Sequence, residues 1–290
     1  MTSNQWAKQL YYFFIPSFPI ASLFVEGVRD ENFFTKFLVK RATKEISSEF
    51  SNLIENEVDS FLLDSKKNVI KNVEFKVSLF NELLPKTWGS LLLKNGAEFQ
   101  FPVLFDTKDH EVFREYLRGQ FISLKDKPIP YKVVNECLIN DESRKFCIQR
   151  ELQKSYSGYH LCLPSIMWIF SSSAFYGLCT FIFPVIGVPI GCLISALGTI
   201  GVYSYLIKII KSNEEVYFDN VVIDKNEVYK TGAIDYLKSS KILCNLIGEE
   251  YFGESNLYFI NNRISNIKRI TAESRLLKVK NTSVEKNEKL

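Results

Sequence analysis

His110 and His160 are the only two imidazoles among 290 residues, and either would need partners at defined reach to act as a general base or a metal ligand. His110 stands between Asp109 and Glu111, which read as the charged start of an exposed helix, and His160 borders the longest uncharged run of the chain. No His-x-x-x-His or His-Glu-x-x-His spacing occurs. Glu249, Glu250 and Glu254 form an acidic cluster that could gather a cation or a substrate, but a solvated loop is the simpler reading, since carboxylates seldom sit buried without partners. Lys230-Thr231-Gly232 matches one element of a serine acyl-enzyme signature; the companion Ser-x-x-Lys appears only after it, at Ser265–Lys268 and Ser283–Lys286, instead of before. Nucleophile elbow, phosphate loop and dinucleotide fingerprint are missing from the sequence. The expectation is therefore no catalytic residue, no cofactor-binding residue and no metal ligand, and a function that is not enzymatic.

The six cysteines are Cys137, Cys147, Cys162, Cys179, Cys192 and Cys244. They form no Cys-x-x-Cys pair and no regular framework, which argues against both a disulfide scaffold and a zinc site. Cys137 and Cys147 could meet across a hairpin, but free thiols in a reducing compartment are the plainer account. A net charge of +3 is too small for a nucleic-acid partner, which calls for a basic cluster or stripe.

What must position these residues is set by a segregation that the averages conceal. Hydrophobic residues make up 46% and charged residues 24% of the chain, ordinary values, yet between Ser155 and Ile207 there is no Asp, Glu, Lys or Arg. A hydrocarbon core of about 30 Å needs about 20 helical residues, so this run suffices for two crossings: Leu161 to Ile182 and Gly187 to Ile207. Between them lies Phe-Ile-Phe-Pro-Val-Ile-Gly-Val-Pro-Ile-Gly, residues 181–191. Pro184 ends the first helix and Pro189 falls in the first turn of the second, where its missing N–H costs little. The expectation is a membrane hairpin with Pro184 and Pro189 at its turn. Gly187, Gly191, Ser195 and Gly198 on the second arm, with Ser173 and Gly177 on the first, have the small-residue spacing that lets two helices approach. The cheapest partner is the other arm; the same face could instead join two copies as a homo-oligomer.

Arg144, Lys145, Arg150 and Lys154 precede the hairpin, Lys208 and Lys211 follow it, and its tip carries no cation, so the positive-inside bias places both flanks on the cytoplasmic, stromal or matrix side. Residues 1–28 read as an aromatic interfacial or membrane-associated segment interrupted by Pro16 and Pro19, or as one packed against the hairpin, with a third crossing as the runner-up. Residues 29–66 read as a long amphipathic helix whose apolar residues recur four apart, Phe50, Ile54, Val58 and Leu62 among them. In residues 67–154 the period drops to two, as in Val73, Phe75, Val77 and Leu79, and Asn95-Gly96 supplies a hairpin turn. That segment is expected as an α+β domain with an antiparallel sheet, a short helix near His110 to Leu117, and a strand pair turning at Asn140 to Glu142. Residues 155–210 hold the hairpin, residues 211–280 a second α+β region with strands around a turn at Asp224 to Asn226, and residues 281–290 a polar tail.

The fold class expected is thus a membrane protein with an α+β soluble part: a two-helix transmembrane hairpin inserted between two small, mainly antiparallel β-containing regions. Lys208, Lys211, Lys268, Arg269, Arg275, Lys278 and Lys280 are candidate contacts to lipid headgroups. The expected partners are the bilayer and other protein subunits, and the expected role is a membrane-anchored scaffold, assembly factor or complex subunit. A membrane-shaping hairpin is the alternative, and a lipid-facing enzyme without a recognisable motif a further one.

Overall fold

In a computed structural model, which describes residues 3–27, 44–64, 75–94, 96–125, 127–248, 258–269 and 271, helices predominate and the sheet is small. The helices are α1 (Ser3–Gly27), α2 (Ser48–Asp64), α3 (His110–Gln120), α4 (Tyr131–Cys137), α5 (Asp141–Ser157), α6 (Tyr159–Thr180), α7 (Val188–Ile223), α8 (Glu227–Ile247) and α9 (residues 258–269). The strands are β1 (Phe75–Phe80), β2 (Lys86–Gly89) and β3 (Ala97–Pro102). The chain divides into two units, one drawn from Met1–Ile46, Val58–Pro102 and Glu151–Glu214, the other from Ser47–Glu57, Val103–Arg150 and Glu215–Leu290.

The sheet belongs to the first unit and has the order β1-β3-β2. All six residues of the central strand β3 are buried. Phe99 and Phe101 alternate with Glu98 and Gln100, and the polar pair is satisfied within the sheet: Ser78 Oγ donates to Glu98 at 2.6 Å, Trp88 Nε1 donates to Gln100 at 2.9 Å, and Gln100 Nε2 donates to Glu98 at 3.3 Å. The sheet is mixed, because β1 runs parallel to β3 from Phe75↔Ala97 to Phe80↔Pro102 while β2 is antiparallel to it. This corrects the antiparallel expectation: β1 and β2 follow each other in sequence but occupy opposite edges. The β2–β3 connection is also longer than a two-residue turn. Gly89 and Gly96 take left-handed conformations, φ 67° and 72°, and a Cβ on Gly89 would lie 2.6 Å from Gly96 O. That close approach ends the ladder before Leu91–Leu93, which instead turn back through Leu93 N to Ser90 O and Gly96 N to Leu93 O. Val73 and Asn95 lie outside the described residues.

The second unit is helical among its described residues, and this overturns the strands expected after residue 121 and within residues 211–248 and 258–269; the strand expected at residues 275–280 lies outside the described residues. The polar clusters read as hairpin turns are helix N-caps. Asn140 Oδ1 accepts from Ser143 N at 2.8 Å and opens α5, and Asn226 Oδ1 accepts from Val228 N at 2.9 Å and opens α8. The Val, Tyr and Phe of residues 216–223 suggest β propensity, but they extend α7, whose buried residues here are Phe218, Asp219, Val222 and Ile223. Along α8 the buried set is Tyr229, Gly232, Ala233, Tyr236, Leu237, Ser240, Leu243, Cys244 and Ile247, a clear 3.6-residue stripe. Tertiary packing outweighs the weak local preference. The helix expected near His110 is α3, capped by Asp109, whose carboxylate is held below its usual range by the Val112 and Glu111 amides. In α2 the buried positions are Phe50, Ile54, Glu57 and Phe61, so the step of four drifts to the neighbouring position as a 3.6-residue helix requires.

Two buried polar networks hold the second unit together. Asp219, with no exposure, accepts from Arg150 Nε at 3.0 Å and from Arg263 Nε and Nη2 at 2.6 and 2.8 Å, while Glu215 pairs with both arginines. Burial alone would lower the pKa of Arg263, but the charge and hydrogen bonds of Asp219 outweigh it and raise the pKa, keeping the guanidinium charged. Nearby in sequence, Glu57 Oε2 accepts from Tyr229 OH at 2.8 Å and Gln149 Nε2 at 2.9 Å, and Gln149 Oε1 accepts from Lys225 at 3.2 Å. Every cysteine is a free thiol; burial, then Glu136, pushes Cys137 up to about 12, and burial alone pushes Cys244 up to about 12.

Candidate functional site: an apolar three-helix bundle

Helices α1 and α6 pack along each other in the first unit, and α7 closes the bundle. Proline shapes the first contact. Pro19 has no N–H to return to the carbonyl four residues earlier, so Ile15 O is left open, and Trp168 Nε1 donates to it at 3.0 Å. The indole ring is held by Phe18, stacked at 4.6 Å, by Phe14 at 4.9 Å and by the edge of Tyr203 at 5.2 Å. One helix turn or so away, Tyr11 is 3% exposed. Its hydroxyl donates to Ser172 O at 2.8 Å and accepts from Ser195 Oγ at 2.7 Å, joining α1, α6 and α7 at one point. Tyr176 stacks on Tyr11 at 4.9 Å. In the apolar interior of the bundle these few polar contacts fix the register and rotation of the helices, because each unmet group would keep its desolvation cost. Replacing Trp168 by Phe keeps the ring packing and leaves Ile15 O unmet; a loss of about 1–2 kcal/mol is expected, read as a lower unfolding midpoint of the full chain in neutral detergent.

The small residues singled out by spacing take different places. Ser195 is fully buried in the hydroxyl cluster. Gly198 lies beneath the Phe175 ring, which a Cβ would approach to 2.7 Å, and Gly191 lies beneath Phe183, with a Cβ 2.3 Å from the ring. Gly187 is at the turn, φ 81°, capping the one-turn helix Phe183–Ile186 that contains Pro184, and Pro189 follows in the first turn of α7. Ser173 and Gly177 are not buried, and a Cβ on Gly177 would meet nothing within 4 Å. Residues of α6 that meet α1 or α7 include Ser172, Trp168, Phe175 and Tyr176, three of them aromatic and none at the predicted small-residue positions Ser173 and Gly177.

Outward, the bundle presents large apolar side chains: Phe170, Leu178, Phe181, Val185, Leu193 and Leu197 are each more than half exposed. Among the described residues two helices, α6 and α7, are long and apolar enough to cross a membrane, with mean hydropathies of 1.4 and 1.8 over their most apolar 18 residues. A groove of about 820 Å³ runs beside Trp6, Leu10, Phe14, Cys192 and Leu193. Lys208 and Lys211 are exposed on α7, and Lys268 and Arg269 on α9; Arg275, Lys278, Lys280 and the acidic cluster Glu249, Glu250 and Glu254 lie outside the described residues.

The second unit has a polar groove of about 320 Å³ lined by Ser47, Glu49, Asp106, Lys108, Asp141 and Arg144 among others. Most of its polar side chains engage one another, while Arg144 Nε and Nη2 have no hydrogen-bond partner among the described residues. Lys108 pairs with Glu49 and stands 3.7 Å from Asp141, Arg144 Nη1 donates to Asp141 at 2.8 Å, and Asp106 accepts from Ser47, the N-cap of α2. His110 stacks on Tyr131 at 4.5 Å and reaches Asn135 Oδ1 at 3.0 Å, and His160 Nε2 donates to Gly89 O at 2.9 Å. Each histidine is thus engaged in holding a local element. Among the described residues no group of three or more His, Cys, Asp or Glu side chains is placed to hold a metal ion. Comparison with protein-family models, with curated proteins and with solved structures returns no match.

Proposed function

We propose that this chain is an integral membrane protein in which α6 and α7 form a hairpin through the bilayer, α1 lies against that hairpin, and the helical unit acts as a non-enzymatic scaffold or complex subunit at the membrane. The observation that carries the reading is the low burial of the two apolar helices. Only 33% of the window in α6 and 28% of that in α7 is buried, whereas the core helix of a water-soluble protein is covered on most sides. An exposed apolar face of this extent calls for hydrocarbon around it. Of the cations flanking the hairpin, Arg144 and Arg150 are buried in ion pairs, so a same-side, cytoplasmic-type placement of both flanks rests on Lys145, Lys154, Lys208 and Lys211. The scaffold role draws on large side chains exposed on the helical unit, Ile122 at 82% and Tyr131 at 61% exposure, which suit protein contact.

Expressed in cells, the full chain is expected to stay with membranes through an alkaline carbonate wash and to leave them only in detergent. Recovery as a monodisperse species in detergent-free buffer refutes the membrane reading. Extraction in mild detergent should give a species larger than the chain in its micelle, and Ile122→Asp should shrink it; a wild-type species of single-chain size refutes the scaffold role.

A further inference from the structure

Helices α8 and α9 enclose a groove of about 440 Å³ lined by Ile234, Leu237, Lys238, Lys241, Ile264, Ile267, Lys268 and Thr271. On each helix the lining residues follow the spacing i, i+3, i+4, i+7, one continuous face. Leu237 and Ile267 are buried and form the floor, Ile234 and Ile264 are half-buried walls, and the three lysines are exposed at the edge. Lys238 stands 3.9 Å from Asp235; among the described residues Lys241 and Lys268 make no hydrogen bond or ion pair, and no acidic side chain lines the groove. An apolar trough edged by three exposed lysines complements an amphiphile that joins a hydrocarbon chain to an anionic head. The volume falls within the range of about 300–1,000 Å³ typical of small-ligand sites.

From this complementarity we propose that the α8–α9 groove binds an anionic phospholipid, one acyl chain lying along Ile234, Leu237, Ile264 and Ile267 and the phosphate head contacting Lys241 and Lys268. The proposal deepens the membrane reading above and rests on it, since the bilayer is the source of the ligand. Zwitterionic lipids offer the same chain but a head whose ammonium opposes the lysines, so the site selects by head charge.

The test uses the full chain in neutral detergent, titrated by calorimetry with dihexanoyl phosphatidic acid, dihexanoyl phosphatidylcholine and inorganic phosphate. Saturable binding of the phosphatidic acid is expected, at least tenfold tighter than that of the phosphatidylcholine, with no binding of inorganic phosphate. The double variant Lys241→Glu, Lys268→Glu should weaken it at least tenfold with an unchanged circular-dichroism spectrum and unfolding midpoint, because both side chains are exposed. A single Lys132→Glu variant, at an exposed position on α4 away from the groove lining, serves as a charge control and should bind as the wild type does. Equal affinity for the two lipids, binding of inorganic phosphate alone, or indifference to the double charge reversal overturns the proposal. So does preferential binding of an acidic amphipathic peptide over the lipid. Failure here with the carbonate wash still retaining the chain removes the lipid site and leaves the membrane reading standing; release of the chain by that wash removes the membrane reading itself.

Discussion

Replacing Asp219 by alanine is expected to destabilise the second unit by about 3–5 kcal/mol, the range for removing one partner of a buried ion pair. Asp219 has no exposed surface and receives three of the guanidinium hydrogen bonds of Arg150 and Arg263, themselves 3% and 4% exposed. Without it, Glu215 alone would face two buried cations. Water cannot reach them to compensate, and an arginine cannot shed its proton to escape the cost. Against a typical domain stability of about 5–15 kcal/mol, this is a large share. Unfolding in denaturant, followed by near-ultraviolet circular dichroism in neutral detergent, should move to a lower midpoint or vanish. The triple change Arg150→Met, Asp219→Leu, Arg263→Met should recover much of the loss, because a packed apolar set of similar volume often equals a buried ion cluster in stability. A loss under about 1 kcal/mol for Asp219→Ala, the value of a solvent-exposed pair, would mean that water penetrates the site.

Why sequence reading located the apolar helices and misassigned the helical unit lies in the kinds of signal each carries. The uncharged run from Ser155 to Ile207 is a signal of composition, summed over fifty-odd residues and insensitive to any single one. Pro184 and Pro189 break the backbone pattern by covalent geometry and so mark the turn wherever the rest packs. The expected strands rested instead on Val, Tyr and Phe content in windows under ten residues, where propensity is weak. Residues 216–223 belong to α7 because Phe218, Asp219 and Val222 fill one buried face, a three-and-four spacing that was present in the letters but outweighed by their types. Asn140 and Asn226 illustrate the same ambiguity: a residue suited to a hairpin turn is equally suited to an N-cap, and only the period of the next ten or so residues distinguishes them. In the bundle, the Trp168 to Ile15 contact was signalled by Pro19, since a proline within a helix leaves one carbonyl seeking a donor. The partner that supplies that donor comes from 153 residues beyond Ile15, and no local pattern names it.

Gly232→Ala is the second change with a large expected effect, and a methyl group is its whole cause. The added Cβ would stand 2.2 Å from Glu142 O, 2.5 Å from Glu142 C and 2.9 Å from Ser143 N. These are backbone atoms in the first turn of α5, and they are doubly fixed: Ser143 N is tied to Asn140 Oδ1 at 2.8 Å, and Ser143 Oγ donates to Gly232 O at 3.0 Å. A side chain could rotate away; this turn can yield only by moving the helix, which would strip the N-cap from α5 and part the hydrogen bond that clamps the crossing. Overpacking of this kind costs about 1–3 kcal/mol and at times more, and the loss of the cap adds about 1 kcal/mol, so a total near 3 kcal/mol is expected. Gly119, in α3 of the same unit, has nothing within 4 Å of a Cβ, and Gly119→Ala should gain up to about 1 kcal/mol through helix propensity alone. The two substitutions are chemically identical and opposite in expected sign, so measuring both midpoints under one condition separates the close α5–α8 crossing from any general intolerance of alanine. A neutral or stabilising Gly232→Ala would mean that α5 and α8 stand far enough apart at this crossing to admit a methyl group.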